Sequence, residues 1–438
     1  MSHDPPVHIV GAGLAGSLMA LYLARRGINV EVWERRPDLR RVDIPAGRSI
    51  NLAISTRGLT ALDKVGLKEA VLEQSLPMPG RILHDQAGNI TFQAYGQKDQ
   101  AIRSVSRRDL NALLMDKAEE AGVPFHFEQA CAELEGSSGY ITFESPTGAR
   151  KREQGRLVIG ADGAFSAVRD QVMKQSQLSY DQTWIESGYV ELSIPPTADG
   201  DFAMDPAGLH IWPRQDYMLI ALPNLDKSFT VTLFLPFKSE NDWCFDRLKS
   251  TEDVRSFFNE QFADSVPLMP KLIEDFFENP HSGLATIKCS PYHFGERVVL
   301  IGDAAHAIVP FYGQGMNAAF ESASLLDDLL ANNSQAEALE KFTLQRQPNG
   351  FAIRQLALDH YYEMRASVAS PMFLLQKKIE QAVERIFPGF IPLYGMVSFS
   401  NIPYQEAVER ALRQTATLRT VLGLFALSTL VILGWWLR

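Results

Sequence analysis

Residues 7–36 read VHIVGAGLAGSLMALYLARRGINVEVWERR, and this stretch decides the fold. Val7 to Val10 form a short apolar run, leucines then recur at helical spacing, and Ile28 to Trp33 form a second apolar run. This order predicts a strand, a helix and a parallel strand. The sequence therefore predicts the βαβ unit of a nucleotide-binding α/β fold.

A glycine-rich turn joins the first predicted strand to the helix. Gly11, Gly13 and Gly16 spell G-x-G-x-x-G, in which glycines permit a tight turn and a close approach of the backbone to a pyrophosphate. The helix N-terminus supplies an anion site. Glu34 stands 18 residues after Gly16, at the end of the second strand, where a carboxylate can hold ribose hydroxyls. The motif predicts a dinucleotide but does not separate NAD from FAD.

Composition limits the class of protein. The chain has 438 residues, 46% hydrophobic and 21% charged, which predicts a globular protein of two or three domains. Its net charge of -10 gives no attraction to phosphate backbones, so nucleic acid is not expected as a partner. The three cysteines form no C-x-x-C pair, so we expect no disulfide framework, no metal site and a reducing compartment. The N-terminus does not resemble a signal peptide.

Two later segments indicate the cofactor. Residues 157–166 read LVIGADGAFS, and residues 299–306 read VLIGDAAH. With the glycine-rich turn, and in this order, they resemble the signatures of FAD-dependent aromatic hydroxylases. The resemblance implies that Asp303 binds the ribityl chain of FAD and that Asp162 serves both FAD and the pyridine nucleotide. Since the chain has one G-x-G-x-x-G, it also implies tightly bound FAD, with NADPH as a transient reductant.

The expected fold is α/β, with a Rossmann-like FAD-binding domain that is discontinuous in sequence and carries an inserted β-sheet substrate domain. Strand-like runs between Tyr180 and Phe237 support the inserted sheet. A helical region follows, with breaks expected at its prolines Pro348, Pro371, Pro388 and Pro392. The predicted bounds are 1–70, 100–178 and 284–330 for the FAD domain, 71–99 and 179–283 for the substrate domain, 331–415 for the helical region, and 418–437 for a C-terminal membrane helix.

The prediction of a membrane helix rests on residues 421–437. They read VLGLFALSTLVILGWWL, 17 residues without a charge, which is the lower limit for a spanning helix. Arg410, Arg413 and Arg419 precede the run, so we expect a lipid-bound anchor with the catalytic part facing the cytosol. The membrane would be the mitochondrial outer membrane in a eukaryote and the inner membrane in a bacterium. The alternative is an apolar helix that packs on the protein or in a dimer interface.

A narrower resemblance covers nearly the whole chain. Segments such as SVSRRDLN at 104–111, HAIVPFYGQGMNAAFE at 306–321 and IPLYGMVSFS at 391–400 are similar to the kynurenine 3-monooxygenase family. It implies O2-dependent hydroxylation of L-kynurenine to 3-hydroxykynurenine through a flavin C4a-hydroperoxide. The carboxylate clamp of that family falls on Arg81 and Tyr95, and a later pocket residue falls on Tyr394. His360 stands where the family pattern has asparagine.

The resemblance assigns the chemistry to the flavin, so no protein residue is expected to be catalytic, and His306 is expected to be structural. Besides the glycines and acids already named, the resemblance extends the cofactor-binding set to residues in six segments. They are Leu14, Ala15, Arg35, Ala53, Arg107, Cys131, Gly315, Met316 and Asn317.

Other functions stay open at this stage. The same fold hydroxylates other aromatic acids and quinone precursors. A non-catalytic membrane flavoprotein that senses redox state is a further alternative, and an NAD-dependent dehydrogenase would give no reason for the second and third signatures. The sequence leaves the oligomeric state undecided, with a homodimer among the alternatives.

Overall fold

The structure is a computed structural model that describes residues 5–42, 51–97, 99–240, 242–364, 382–384, 386, 387, 389–418 and 420. The strands in this part of the chain are β1 (Val7–Val10), β2 (Val30–Trp33), β3 (Asn51–Ile54), β4 (Ser75–Met78), β5 (Gly80–His84), β6 (Ile90–Ala94), β7 (Ile102–Ser106), β8 (Phe125–His126), β9 (Ala130–Glu135), β10 (Tyr140–Glu144), β11 (Arg150–Gln154), β12 (Leu157–Gly160), β13 (Ser179–Ile194), β14 (Leu209–Arg214), β15 (Tyr217–Pro223), β16 (Phe229–Pro236), β17 (Ser282–Ser290), β18 (His293–Phe294) and β19 (Val298–Leu300).

The helices alternate with these strands in the first part of the chain and dominate its last part. They are α1 (Leu14–Arg25), α2 (Thr56–Asp63), α3 (Lys68–Glu73), α4 (Arg107–Glu120), α5 (Ala167–Met173), α6 (Thr251–Gln261), α7 (Leu272–Glu278), α8 (Asp303–His306), α9 (Gly315–Asn332), α10 (Gln335–Tyr362) and α11 (Leu393–Ser398), with a further helical stretch at 404–418.

The nucleotide fold is built on a six-stranded sheet in the order β18-β19-β12-β1-β2-β8. β1 is parallel to both β2 and β12, and β12 is parallel to β19. All four residues of β1 are buried, as expected for a parallel strand that is covered on both faces. The predicted βαβ unit is therefore present, with its second strand beginning at Val30. Because β1, β12 and β19 run in the same direction, the three sequence signatures that follow them meet at one edge of the sheet.

A second sheet has seven strands in the order β17-β13-β16-β15-β14-β5-β6. One face packs on α6 and α7 through residues such as Val190, Phe257 and Phe276. Ile211 and Leu83 lie on the opposite face, where they pack against Phe311. In register, Ile211 pairs with Leu83 and Leu209 pairs with Arg81, which places Arg81 on this second face. The second sheet thus presents a charged side chain on the face that packs against residues 309–318 and the C-terminal helices.

The C-terminal helices complete that side of the molecule. The predicted break at Pro348 is wrong, because α10 runs through it from Gln335 to Tyr362. Proline removes the hydrogen bond to the carbonyl of the residue four positions earlier, here Leu344, and Leu344 is 67% exposed, so this turn lies on the solvent side of α10. Pro371 and Pro388 lie outside the described residues, and Pro392 directly precedes α11.

The predicted membrane helix at 418–437 also lies outside the described residues, except for 418 and 420. Among the helices that the structure does describe, none combines the length and the apolar character needed to cross a bilayer.

Candidate active site

The glycine-rich turn has the shape that a nucleotide needs. A Cβ on Gly11, whose φ is +105°, would lie 2.5 Å from the carbonyl oxygen of Ala161, and a Cβ on Gly16 would lie 2.0 Å from that of Gly11. Both positions therefore exclude larger residues. Gly13, the N-cap of α1, has open space around its Cβ position. The first amides of α1, including those of Leu14 and Ala15, can therefore donate hydrogen bonds to a pyrophosphate.

Glu34, the acid that follows β2, is held in place by hydrogen bonds to its carboxylate. The Glu34 carboxylate accepts hydrogen bonds from the Ala12 amide at 3.0 Å and from the Arg36 amide and Nε at 2.9 Å each. Burial favours a raised pKa for Glu34, but these contacts with Arg36 and Ala12 hold its pKa below the usual value. A carboxylate has about four acceptor sites, and Nη2 of Arg36 takes the fourth at 3.5 Å. A ribose hydroxyl would therefore displace a donor of the Arg36 side chain, which is exposed. The neighbouring Arg35 is exposed.

The acids of the second and third signatures lie beside that turn. Asp162 accepts from the Ser166 hydroxyl at 2.6 Å and from the Val168 amide at 3.1 Å, and burial raises its pKa. The thiol of Cys131 lies near it, and burial, aided by the Asp162 charge, raises the pKa of that thiol to about 12. A thiol with this pKa remains protonated at neutral pH, so Cys131 contributes packing and no nucleophile.

Asp303 is the first residue of α8 and follows Gly302, whose φ is +58°. Its side chain reaches solvent, yet protein surrounds it closely enough for burial to raise its pKa, against the opposing charge of Arg107. The Cβ position of Gly302 is 3.2 Å from Cβ of Ala15, so the third signature packs directly on α1. Arg107, the exposed first residue of α4, supplies a positive charge at the same place.

A loop over residues 310–317 lies next to this site and is attached to β3, a strand of the three-stranded sheet β3-β7-β4. The Asn317 side chain accepts from the Ser55 amide at 2.9 Å and donates to the carbonyls of Ala53 at 2.9 Å and Gly313 at 2.8 Å. Gly315, Met316 and Asn317 form the first turn of α9, where helix amides lack partners within the helix. The loop is therefore fixed to β3 with free amide donors available to a ring system.

The four residues predicted to bind substrate come together, although they belong to four separate segments. Nη2 of Arg81 lies 2.9 Å from Nε2 of His360. The Arg81 guanidinium is also 5.3 Å from the ring centre of Tyr95 and 5.4 Å from that of Tyr394, and those two rings stack at 4.9 Å. Since arginine can only donate, Nε2 of His360 must accept, which places its proton on Nδ1. The cluster is a buried cation surrounded by aromatic rings.

Two further residues of this cluster were missed in the sequence. Glu363 lies 3.9 Å from Nη1 of Arg81 and 3.5 Å from Nδ1 of His360. The Tyr312 ring lies 4.6 Å from His360 and 5.5 Å from Tyr394. Glu363 could have been predicted from the sequence, because it stands three residues after His360, and side chains at this spacing on a helix are neighbours. Burial raises the pKa of Tyr95 and Tyr394, so both are neutral phenols that can donate.

His306 lies in the interior, with Nε2 at 2.8 Å from the Ser322 hydroxyl. Burial, with a contribution from the Arg346 charge, lowers its pKa to about 3. A buried neutral imidazole with a hydroxyl partner is a structural element of α8.

Comparisons with known proteins identify the family. Residues 4–356 match a family model described as an FAD binding domain. The chain is 44% identical over 422 residues to a protein named kynurenine 3-monooxygenase from Flavobacterium johnsoniae, covering 95% of this chain and 94% of the relative. It is 43% identical over 434 residues to the protein of that name from Sus scrofa, covering 98% and 90%.

Solved structures support the same fold. The tetrameric form of 2-methyl-3-hydroxypyridine-5-carboxylic acid oxygenase is similar with a TM-score of 0.69 and 22% identity, covering 85% of this chain and 96% of that one. At this identity the likeness shows the fold alone.

Proposed function

The chain belongs to the kynurenine 3-monooxygenase family of FAD-dependent monooxygenases, and from this premise we propose that it converts L-kynurenine to 3-hydroxy-L-kynurenine. In the balanced reaction NADPH, a proton and O2 are consumed, one oxygen atom enters the ring at carbon 3, and the other leaves as water. The observation that carries the proposal is the buried cluster of Arg81, Tyr95, His360 and Tyr394 beside a complete flavin-binding framework.

The chemistry of the cluster matches an aromatic amino acid. Arg81 is buried, and a guanidinium there can receive a carboxylate through two parallel hydrogen bonds, with Tyr95 and Tyr394 as additional donors. The adjoining face of the sheet is apolar, since Ile211 and Leu83 pack there against Phe311. A carboxylate at one end and an apolar surface at the other orient a ring of this kind.

The cofactor roles follow from the same framework. We propose that the glycine-rich turn holds the FAD pyrophosphate, that Glu34 holds the adenosine ribose, and that Asp303 with Arg107 holds the ribityl chain. The Met316 and Asn317 amides would face the isoalloxazine ring. When bound, FAD supplies the activation of O2, and the protein supplies binding and orientation.

We further propose that residues 421–437 anchor the chain in a membrane with the catalytic part on the cytosolic side. The support is the uncharged 17-residue run and the arginines before it, Arg410 and Arg413 among them. Removing 421–438 should move the protein from the membrane fraction to the supernatant and leave its oligomeric state unchanged. If the truncated protein instead loses a dimeric state without leaving the membrane, the segment is an interface helix.

The first experiment is NADPH oxidation by the detergent-solubilised protein with and without L-kynurenine, followed by mass spectrometry of the product. Kynurenine should accelerate oxidation and yield a product one oxygen atom heavier. Acceleration without that product would make kynurenine an effector that uncouples oxidation. No response by FAD-loaded protein would refute the substrate and favour a different aromatic acid.

A further inference from the structure

Arg57 is a fully buried arginine that lies outside the substrate cluster. It is the second residue of α2, and its side chain has 0% exposure. Its Nε donates to the carbonyl of Val397 at 2.9 Å, and its Nη2 donates to the carbonyls of Met396, at 3.3 Å, and Ile402. Its Nη1 pairs with Glu321 on α9 at 2.7 Å. One side chain of the flavin domain therefore binds three carbonyls of the C-terminal segment.

Two of these carbonyls belong to the last turn of α11, the six-residue helix that carries Tyr394. The final carbonyls of a helix have no partner within it and attract cations. A helix this short is unstable without outside support. Arg57 supplies a donor to the Val397 carbonyl and shares the Met396 carbonyl with the Ser400 hydroxyl, which donates to it at 2.6 Å. With its positive charge, Arg57 thereby fixes the end of α11 and the position of Tyr394 relative to Arg81.

A second link runs from Arg57 to the flavin loop. The Tyr404 ring lies 4.0 Å from the Arg57 guanidinium, and its hydroxyl donates to Oε1 of Gln314 at 3.0 Å. Gln314 directly precedes α9 and is buried. The segment between Met396 and Tyr404 is thus attached to α2 on one side and to the flavin loop on the other.

The charge arrangement shows that Arg57 can be replaced without leaving a lone buried anion. Arg346 on α10 pairs with the other oxygen of Glu321 at 2.5 Å. Glu321 therefore keeps a cationic partner when Arg57 is neutralised, which avoids the large penalty of an unpaired buried charge. The main loss would be the donors to the three carbonyls.

We propose that Arg57 is a positioning residue for the substrate: it terminates α11 so that Tyr394 stands against Arg81, and through Tyr404 it fixes Gln314 beside the flavin loop. The inference rests on the proposed function, because it identifies what controls the affinity of that same site. Arg57 itself contacts neither the substrate cluster nor the predicted flavin contacts, so its effect is indirect and should fall on substrate binding.

The test compares Arg57→Met, Arg57→Lys and Tyr404→Phe with a matched control, Arg103→Met. Arg103 also donates to two backbone carbonyls, those of Leu72 and Ser75 at 2.9 Å each, and neither belongs to the C-terminal segment. The readouts are the Kd of L-kynurenine from the perturbation of the flavin spectrum, the FAD content, and KM and kcat separately.

Arg57→Met should weaken kynurenine binding and raise KM by about 3- to 30-fold, with FAD content and kcat near wild type. Arg57→Lys should recover part of the affinity, Tyr404→Phe should show a smaller loss, and Arg103→Met should show none. An unchanged Kd in Arg57→Met, or an equal loss in Arg103→Met, would overturn the inference alone. If Arg57→Met does not fold, wild-type affinity in both Arg57→Lys and Tyr404→Phe would overturn it. Absence of kynurenine binding by wild type would overturn the proposed function together with this inference.

Discussion

Replacing Arg81 by methionine should remove most of the affinity for the substrate carboxylate. Arg81 is 7% exposed, and its guanidinium is oriented by His360 at 2.9 Å beside the stacked rings of Tyr95 and Tyr394. Truncating one partner of a buried charge pair costs about 2–5 kcal/mol. At about 1.4 kcal/mol per factor of ten, the Kd of L-kynurenine should rise by about 30-fold to several thousand-fold. Arg81→Lys keeps the charge but loses the planar fork, so its loss should be intermediate.

The assay combines this variant with a kynurenine analogue that lacks the carboxylate. Binding is measured from the flavin spectrum for wild type and Arg81→Met, with Arg103→Met as the control for loss of an arginine elsewhere. Wild type should bind the analogue about as weakly as Arg81→Met binds kynurenine. Arg81→Met should bind both ligands alike, because the group that separates them is gone. If Arg81→Met still prefers the carboxylate ligand as strongly as wild type, Arg81 is not the clamp and the reasoning fails.

Three further predictions concern the cofactor, the histidine and an isolated acid. Gly58→Ala should lower the FAD content of the purified protein, because the new Cβ would lie 2.5 Å from Oδ1 of Asn317. Without that clash, alanine would be favourable at a helix position. Undiminished flavin absorbance would contradict this prediction. His360→Leu should weaken kynurenine binding more than His360→Asn, because asparagine can still accept the hydrogen bond from Nη2 of Arg81 whereas leucine removes that acceptor from a buried donor; equal losses in the two variants would contradict it. Burial raises the pKa of Glu191 to about 7, above the usual value of 4.5 that it has in an unfolded chain. The free energy of unfolding therefore falls by up to about 3 kcal/mol as the pH rises from about 4.5 to about 7. Glu191→Gln should therefore melt higher than wild type at about pH 8, with a smaller difference at about pH 5, and equal melting temperatures at both would refute the assignment.

Sequence patterns that act over short distances predicted the flavin framework well. Gly11 and Gly16 have no room for a Cβ, and that requirement is visible as a glycine pattern between a strand and a helix. The runs that predicted β13, β14, β15 and β16 are rich in apolar and β-branched residues, and β15 and β16 are buried almost throughout because both faces of the sheet are covered. Resemblance to a family, rather than spacing, selected Arg81 and Tyr95, because a lone arginine has no local signal for burial.

Contacts between segments that are far apart in the sequence were decided only by the tertiary structure. Arg57 and Val397 are 340 residues apart in the sequence, and Arg81 and His360 are 279 residues apart. The hydrophobic period of a helix or strand therefore could not predict either contact. Pro348 predicted a break that α10 does not make, and the turn that precedes it lies on the solvent side of the helix. The sequence by itself determined the cofactor fold, because backbone geometry and hydrophobic period are local properties. The substrate site was decided by the tertiary structure. An arginine can bind a substrate carboxylate in this way only when strands and helices from distant parts of the chain bury it beside suitable polar and aromatic groups.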